Sequence, residues 1–230
     1  ALLRVQNYIL TEMDKGHVHV VGLVLLDLSG AFDTVDHQIL EDRLQLTGIG
    51  GKGLQWFVSY LSKRSQAVCI RSATSKPGNF SVPQGSVLGP QLFKLYTLPL
   101  HEIIEKHDLK YHVYADDTQL YFSCPPVQAE INKCIARTEA CMRDIRRWMQ
   151  VSYLKLNESK TEFLMLGSRQ QLSKIDVHPL HIGTALVSPV ERASDLGVIF
   201  DSNMKMEPHV TNRVKQGYYS VRDFRCIRKY

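Results

Sequence analysis

Two apolar segments that both end on acid constrain this chain more than anything else in it. Residues 18–26 read Val-His-Val-Val-Gly-Leu-Val-Leu-Leu and stop at Asp27. Leucine and β-branched residues in so unbroken a row predict a strand buried on both faces. Residues 111–122 hold two further apolar runs, Tyr-His-Val-Tyr-Ala and Thr-Gln-Leu-Tyr-Phe, on either side of Asp116-Asp117. That pattern predicts a hairpin with the acids at its tip. Adjacent ionised carboxylates repel each other, and partial burial sharpens the repulsion. Two such strands side by side in a sheet would bring Asp27 and Asp116 together. Oxygen donors gathered that way suit Mg2+ and two-metal phosphoryl transfer. The plainer alternative is a set of turn-forming acids, since aspartate is common at strand ends.

Around these segments the periodicity predicts an amphipathic helix over 1–13 (Leu2, Leu3, Val5, Ile9, Leu10) and a helix over 35–46. Thr34 or Asp36 can cap the second of these, and Gly48 and Gly50 stop it. Asp33 and Asp36 therefore read as helix-start residues before ligands. A short helix over 54–61 carries Trp56, Phe57, Tyr60 and Leu61 as its buried stripe. A strand is expected over 66–71, a turn over 76–79 leading into a second strand, and a helix from Pro90 to about residue 105. Pro125-Pro126 open a long helix to about residue 149. Ile131, Cys134, Ile135, Thr138, Cys141, Met142, Ile145, Trp148 and Met149 form its apolar face, and Lys133, Arg137, Arg143, Arg146 and Arg147 the opposite one. Short strands follow over 163–166 and 196–200. The order suits an α+β domain, an antiparallel sheet backed by helices, with any lobes sharing one continuous body.

The longest apolar run is too short to span a bilayer, and no secretory signal is visible, so no membrane partner is expected. Five cysteines without a CxxC pair predict reduced thiols, hence nucleus and cytoplasm. A formal charge of +5 is compatible with nucleic acid. Basic residues gather over 205–230, where Lys205, Arg213, Lys215, Arg222, Arg225, Arg228 and Lys229 face only Glu207 and Asp223. That segment is either a solvated helical face or a phosphate-contacting surface. The histidines show no metal-ligand spacing, and His37 and His112 read as structural or exposed. The chain opens on Ala1, and its last helix has no stop signal, which predicts a piece of a longer polypeptide.

Five short motifs then change the weight of the acids. Leu25-Leu-Asp27-Leu-Ser-Gly-Ala-Phe32-Asp-Thr-Val-Asp-His37 resembles the reverse-transcriptase motif in which the first metal-binding aspartate precedes an aromatic by five residues. Val82-Pro-Gln84-Gly85-Ser86-Val-Leu-Gly-Pro90 is similar to the family's Gln-Gly turn, Tyr114-Ala-Asp116-Asp117 to its YxDD box, and Leu156-Asn157-Glu-Ser-Lys160 to its fourth motif. Asp195-Leu196-Gly197-Val198 resembles the turn of the primer grip. Each alone is weak; five in the family's order are strong. The wording of the first three resembles non-LTR (LINE-type) retrotransposons.

The resemblance implies a polymerase palm over 1–35 and 86–205, partial fingers over 36–85, and the start of a thumb over 206–230. It implies an RNA-directed DNA polymerase that extends a DNA primer on an RNA template with dNTPs. Asp27, Asp116 and Asp117 would hold two Mg2+ ions, with Mn2+ able to replace them, and Asp117 in a supporting part. Phe32 would be the steric gate against a 2′-hydroxyl, Gln84 and Gly85 would lie against the nucleotide and template, and Lys160 would serve the leaving pyrophosphate. Leu196 and Gly197 would form the primer grip. Lys94 departs from an otherwise apolar helix face (Leu92, Phe93, Leu95, Tyr96). An RNA-dependent RNA polymerase would prefer an acid at the gate and glycine before Asp-Asp, and Phe32 and Ala115 oppose it. The remaining alternative is an inactive or domesticated palm that binds RNA or protein without turnover.

Overall fold

The structure, a computed structural model, describes residues 2–14, 20–30, 32–62, 64–76, 78–79, 81–82 and 85–227. In chain order the elements are α1 (Leu2–Asp14), β1 (Val20–Leu26), β2 (Leu28–Ser29), α2 (His37–Leu46) and α3 (Gly51–Leu61). Four two-residue strands follow, β3 (Ser65–Gln66), β4 (Cys69–Ile70), β5 (Ala73–Thr74) and β6 (Gly78–Asn79). Then come α4 (Gly89–Tyr96), α5 (Pro99–Lys106), β7 (Lys110–Tyr114), β8 (Asp117–Cys124), α6 (Gln128–Val151) and β9 (Lys155–Leu156), with a 3-10 turn at Glu158–Lys160. The last are β10 (Glu162–Leu166), α7 (Arg169–Leu172), β11 (Leu180–Ile182), β12 (Ala185–Val187), β13 (Pro189–Val190), β14 (Arg192–Asp195), β15 (Val198–Asp201) and α8 (Glu207–Ile227). Two compact units share these elements: Ala1–Leu25, Gln119–Arg137 and Thr161–Tyr230 make the first, Leu26–Thr118 and Thr138–Lys160 the second.

In the first unit the sheet strands run in the order β13-β10-β1-β8. All seven residues of β1 are buried, as the unbroken apolar run requires. The strand pairs antiparallel with β10, Leu23 opposite Leu164. The pairing of β10 with β13 is parallel, Phe163 opposite Pro189, and adds one parallel edge to the antiparallel sheet expected. The physical reason lies in the connection: the chain leaves β10 through α7 and the β11–β12 hairpin, long enough to bring it back in the same direction. The core gathers Val5 and Ile9 of α1, Val21, Leu23 and Leu25 of β1, Leu164 and Leu166 of β10, and Phe200. Leu3 and Leu10, which the periodicity assigns to the same apolar helix, face solvent. At Gly22 the ring of Phe122 on β8 occupies the space of a side chain, 2.2 Å from where a Cβ would stand. α8, the basic segment, is exposed along almost its whole length and carries Tyr218, Tyr219 and Phe224 on its surface.

In the second unit Asp36 caps α2, its carboxylate accepting from the Ile39 N–H at 3.0 Å. The helix expected from Pro90 to residue 105 is two helices. Pro99 has no N–H to continue the first, and it takes the opening position of α5. Lys94 lies on the exposed side of α4. Fully buried Tyr96 donates from its hydroxyl to the Ser152 carbonyl at 2.7 Å and accepts from the Asp36 N–H at 3.3 Å, so it joins α2, α4 and the end of α6. On α6 the predicted apolar face is buried except at half-buried Trp148. The strand expected over 66–71 is only the ends of two short hairpins, β3–β6 and β4–β5, separated at residues 67–68. The stripe expected inside α3 is only partly covered: Leu61 is buried, Phe57 and Tyr60 are half-buried, and Trp56 is 54% exposed. Among the described residues no helix is long and apolar enough to cross a membrane.

Candidate active site

Asp27 follows directly on buried β1. The next two residues, Leu28 and Ser29, pair as β2 with Leu156 and Lys155 of β9. That short ladder carries the fourth motif to the acid. The Asn157 N–H donates to the Asp27 carbonyl at 2.9 Å, and its side-chain amide donates to Asp27 Oδ2 at 3.0 Å. Lys160, closing the 3-10 turn, brings Nζ to 3.5 Å from the same oxygen while staying 68% exposed. Glu158 of that turn pairs with Arg146 of α6, which pins the loop from behind. Sequence reasoning places Asn157 in a motif but gives it no role. Its only signal is position: an amide one residue past a strand, three before a lysine.

Asp116 and Asp117 come from the hairpin. β7 turns into β8 through Ala115-Asp116, with Ala115 in the left-handed region at φ 54°. A residue with a Cβ pays about 1–2 kcal/mol for that conformation. Asp117 opens β8, and its carboxyl is pushed above the ordinary aspartate value. Burial is the main cause, the charges of Asp116 and Asp27 add to it, and Lys160 opposes them. The other two predicted acids and the predicted lysine thus act electrostatically on Asp117 within the second unit.

Phe32, the expected gate residue, is tied to the loop that follows α3. The half-buried ring of Phe32 packs on Phe93 of α4, centroids 5.0 Å apart, and its carbonyl accepts from the Val82 N–H at 3.2 Å. Ser81 donates to the Val35 carbonyl, and the Ser81 carbonyl is 2.9 Å from His37 Nε2, which makes His37 a structural residue. Gly85 sits exposed at φ 74°, with nothing near its would-be Cβ, so conformation and not space demands glycine there. Gln84 lies outside the described residues. Leu196 and Gly197 belong to the first unit. Their φ values of 46° and 81° make the two-residue turn of the β14–β15 hairpin, and the Gly197 carbonyl accepts from Arg213 of α8. Asp33 is exposed in the turn after Gly30.

As a metal site the donor set is oxygen only: Asp27, Asp116 and Asp117. Among the described residues no three His, Cys, Asp or Glu side chains stand close enough around one point to hold an ion. The Asp117 carboxyl is raised mainly by burial, with the charges of Asp116 and Asp27 adding to it and a single ammonium set against them. Hard divalent cations fit that set of donors and that charge.

The sequence profile of the reverse transcriptase (RNA-dependent DNA polymerase) family matches residues 8–200. Among similar curated proteins, the probable RNA-directed DNA polymerase from transposon BS of Drosophila melanogaster is 26% identical over 232 residues, 97% of this chain and 24% of that protein. The RNA-directed DNA polymerase from mobile element jockey, also of Drosophila melanogaster, is 25% identical over 226 residues, 92% of this chain and 23% of that protein. The chain thus spans about a quarter of the length of these relatives. Among solved structures, telomerase from Candida albicans superposes with a TM-score of 0.58 at 11% identity, over 90% of this chain and 33% of the other. Telomerase from Candida tropicalis gives 0.56 at 12%, over 90% and 39%. At such identities the likeness is one of fold.

Proposed function

Because this chain belongs to the reverse transcriptase (RNA-dependent DNA polymerase) family, we propose that it carries the catalytic centre of an RNA-directed DNA polymerase of a non-LTR retrotransposon. The reaction extends a DNA 3′-hydroxyl on an RNA template with dNTPs. Residues 1–35 and 86–205 serve as palm, 36–85 as part of the fingers, and 206–230 as the start of the thumb. The reaction belongs in nucleus and cytoplasm, where free thiols such as exposed Cys69 and Cys226 persist.

The observation that carries this reading is the fixing of Asp27 by Asn157 and Lys160 in the same unit that bears Asp116 and Asp117. Asp27, Asp116 and Asp117 are the residues to hold two Mg2+ ions, with Mn2+ as a substitute. Such ions, when bound, supply the positive charge that activates a 3′-hydroxyl and steadies a leaving pyrophosphate. The chain's own groups do the rest. Asn157 keeps Asp27 oriented through a main-chain and a side-chain bond. Lys160 holds a proton at Nζ beside the acids, in place to be given to the leaving phosphate oxygen. Phe32, backed by Phe93, presents a flat ring that leaves no room for a 2′-hydroxyl. Gln84 and Gly85 meet the nucleotide and template, and Leu196-Gly197 turns towards the primer.

The test is extension of a labelled DNA primer on poly(rA) with dTTP and Mg2+, using this segment with its natural flanks. Extension is expected, with Asp116→Ala abolishing it and Phe32→Val admitting ribonucleotides. A flanked protein that folds and binds RNA but never adds a nucleotide refutes the reading.

A further inference from the structure

The outward face of α3 is organised. Lys52, Trp56, Tyr60 and Arg64 follow one another at intervals of four, which sets them in one ridge along the helix and its exit. The Trp56 and Tyr60 rings are parallel, centroids 5.5 Å apart and planes 8° apart. Phe57 meets Trp56 edge-on, with an interplanar angle of 85°. The Arg64 guanidinium lies 5.3 Å over the Tyr60 ring, and its Nε donates to the Tyr60 carbonyl at 2.9 Å. Rings held on both sides in this way lose little freedom when another flat group stacks on them.

The charge along the segment that carries the ridge has one sign. From residue 43 to residue 101 the chain carries seven Lys and Arg and no Asp or Glu. Of these, Lys52, Arg64, Arg71, Lys76 and Lys94 are exposed. A segment without a single acid over 59 residues favours phosphate over a cationic partner. A partner helix would instead want aliphatic neighbours along the row, and this row ends in a cation on each side. We propose that the Lys52–Trp56–Tyr60–Arg64 ridge is a stacking platform for single-stranded RNA: an unpaired base lies on the exposed Trp56 ring, which Tyr60 backs, and the flanking cations hold the phosphates. Duplex RNA keeps its base faces stacked inside and does not fit it. The proposal rests on the polymerase reading only in naming that strand the template.

The experiment is a fluorescence titration of this chain carrying Trp148→Phe, which leaves Trp56 as its one tryptophan. Single-stranded oligo(rU) and oligo(rA) quench it, and duplex RNA of equal length does not. Trp56→Ala, followed by filter retention, and Tyr60→Ala each weaken binding roughly tenfold, within the range for one stacked base, and Trp56→Phe restores most of it. Lys52→Gln and Arg64→Gln each lower the slope of log affinity against log salt by about 0.7, one phosphate contact on a single strand. Unchanged far-ultraviolet circular dichroism and melting temperature show that the variants fold. Three results overturn the proposal: no quenching at millimolar oligonucleotide, binding indifferent to Trp56→Ala, or Trp56 buried by self-association in the absence of RNA, which assigns the ridge to protein. Asp116→Ala separates the two readings, since it abolishes extension and leaves quenching intact. Quenching by a flanked protein that never extends a primer sinks the polymerase reading alone; extension without quenching sinks the ridge alone.

Discussion

Asn157 holds Asp27 in two ways, and one of them can be removed cleanly. Asn157→Ala keeps the main-chain bond to the Asp27 carbonyl and deletes the amide bond to Oδ2. A hydrogen bond to a charged group contributes about 1.5–3 kcal/mol net. Two features place this one at the low end. The Asp27 side chain is 28% exposed, and Asn157 borders a cleft of about 460 Å³ through which water reaches the vacated position. The bond from Ser159 to Asn157 is lost as well, but both residues sit near solvent, so it adds about 0.5 kcal/mol. The variant should therefore lose about 2 kcal/mol of stability, or ~4–8 °C in Tm for a chain of this size. If the amide is what orients Asp27 for catalysis, kcat/KM falls roughly tenfold.

Asn157→Asp distinguishes orientation from mere packing. It sets a second carboxylate against Asp27, a repulsion of about 4 kcal/mol at ~4 Å with an effective dielectric near 20. Lys160, 3.5 Å from Asp27, and partial exposure offset about half of that. The aspartate variant should then be roughly thirtyfold slower than the alanine variant, although it is nearer to the native shape. Single-turnover primer extension beside urea melts measures both. Equal rates for Ala and Asp, or a rate loss that tracks the unfolded fraction, would falsify the idea that Asn157 works through the Asp27 carboxylate.

Other consequences are independent of catalysis. Tyr96→Phe removes a buried hydroxyl that serves both Ser152 and Asp36, and should cost about 2–3 kcal/mol, read as a fall of ~5–10 °C in Tm. Gly22→Ala drives a methyl into the Phe122 ring from 2.2 Å and should destabilise by about 2–3 kcal/mol in a denaturant melt, with Phe122→Leu partly restoring the double variant. The hydrogen bond from His107 holds the Asp144 carboxyl below its ordinary value; burial opposes it, and the charges of His107, Lys106 and Arg147 help. A depressed carboxyl contributes stability above its unfolded pKa and loses it as pH falls through the folded one. Tm should therefore drop more steeply from pH 5 to pH 3 in the native chain than in Asp144→Asn. Burial pushes the Cys141 thiol up to about 12, so at pH 8 iodoacetamide should modify exposed Cys69 and leave Cys141 untouched until the chain unfolds.

What could be read in the sequence, and what could not, divides by the range of the interaction. β1, the β7–β8 hairpin and α6 were legible because each is specified by its own side chains: a run without polar interruption, two runs around an acid pair, a 3.6-residue period over 24 residues. The break at Pro99 was equally local and needed only the missing N–H to be counted. The parallel seat of β13 had no such signal. Pro189-Val190 is too short for a period, and its partner Phe163 lies 26 residues earlier, so only the shared core decides it. The site divides likewise. Motif spacing named Asp27, Asp116, Asp117 and Lys160. The bonds that make Asn157 a positioning residue come from the β2–β9 ladder, which joins residues about 130 apart.

The partial exposure of the α3 row follows from what a period can say. Apolar residues at helical spacing establish that one face differs from the rest; they do not establish that protein covers that face. Leu40 and Leu44 of α2 and Trp56 and Tyr60 of α3 share the spacing of four, yet the first pair is fully buried and the second is not. The neighbours along each row differ. Asp36 and Thr47 bracket α2 as caps, whereas Lys52 and Arg64 extend the α3 row with charge that would have to be desolvated in a core. Aromatic rings tolerate a cation beside their faces and aliphatic side chains gain nothing from one. An aromatic row that ends in cations, within a stretch free of acids, is therefore better suited to meeting an anion with flat faces than to closing a core.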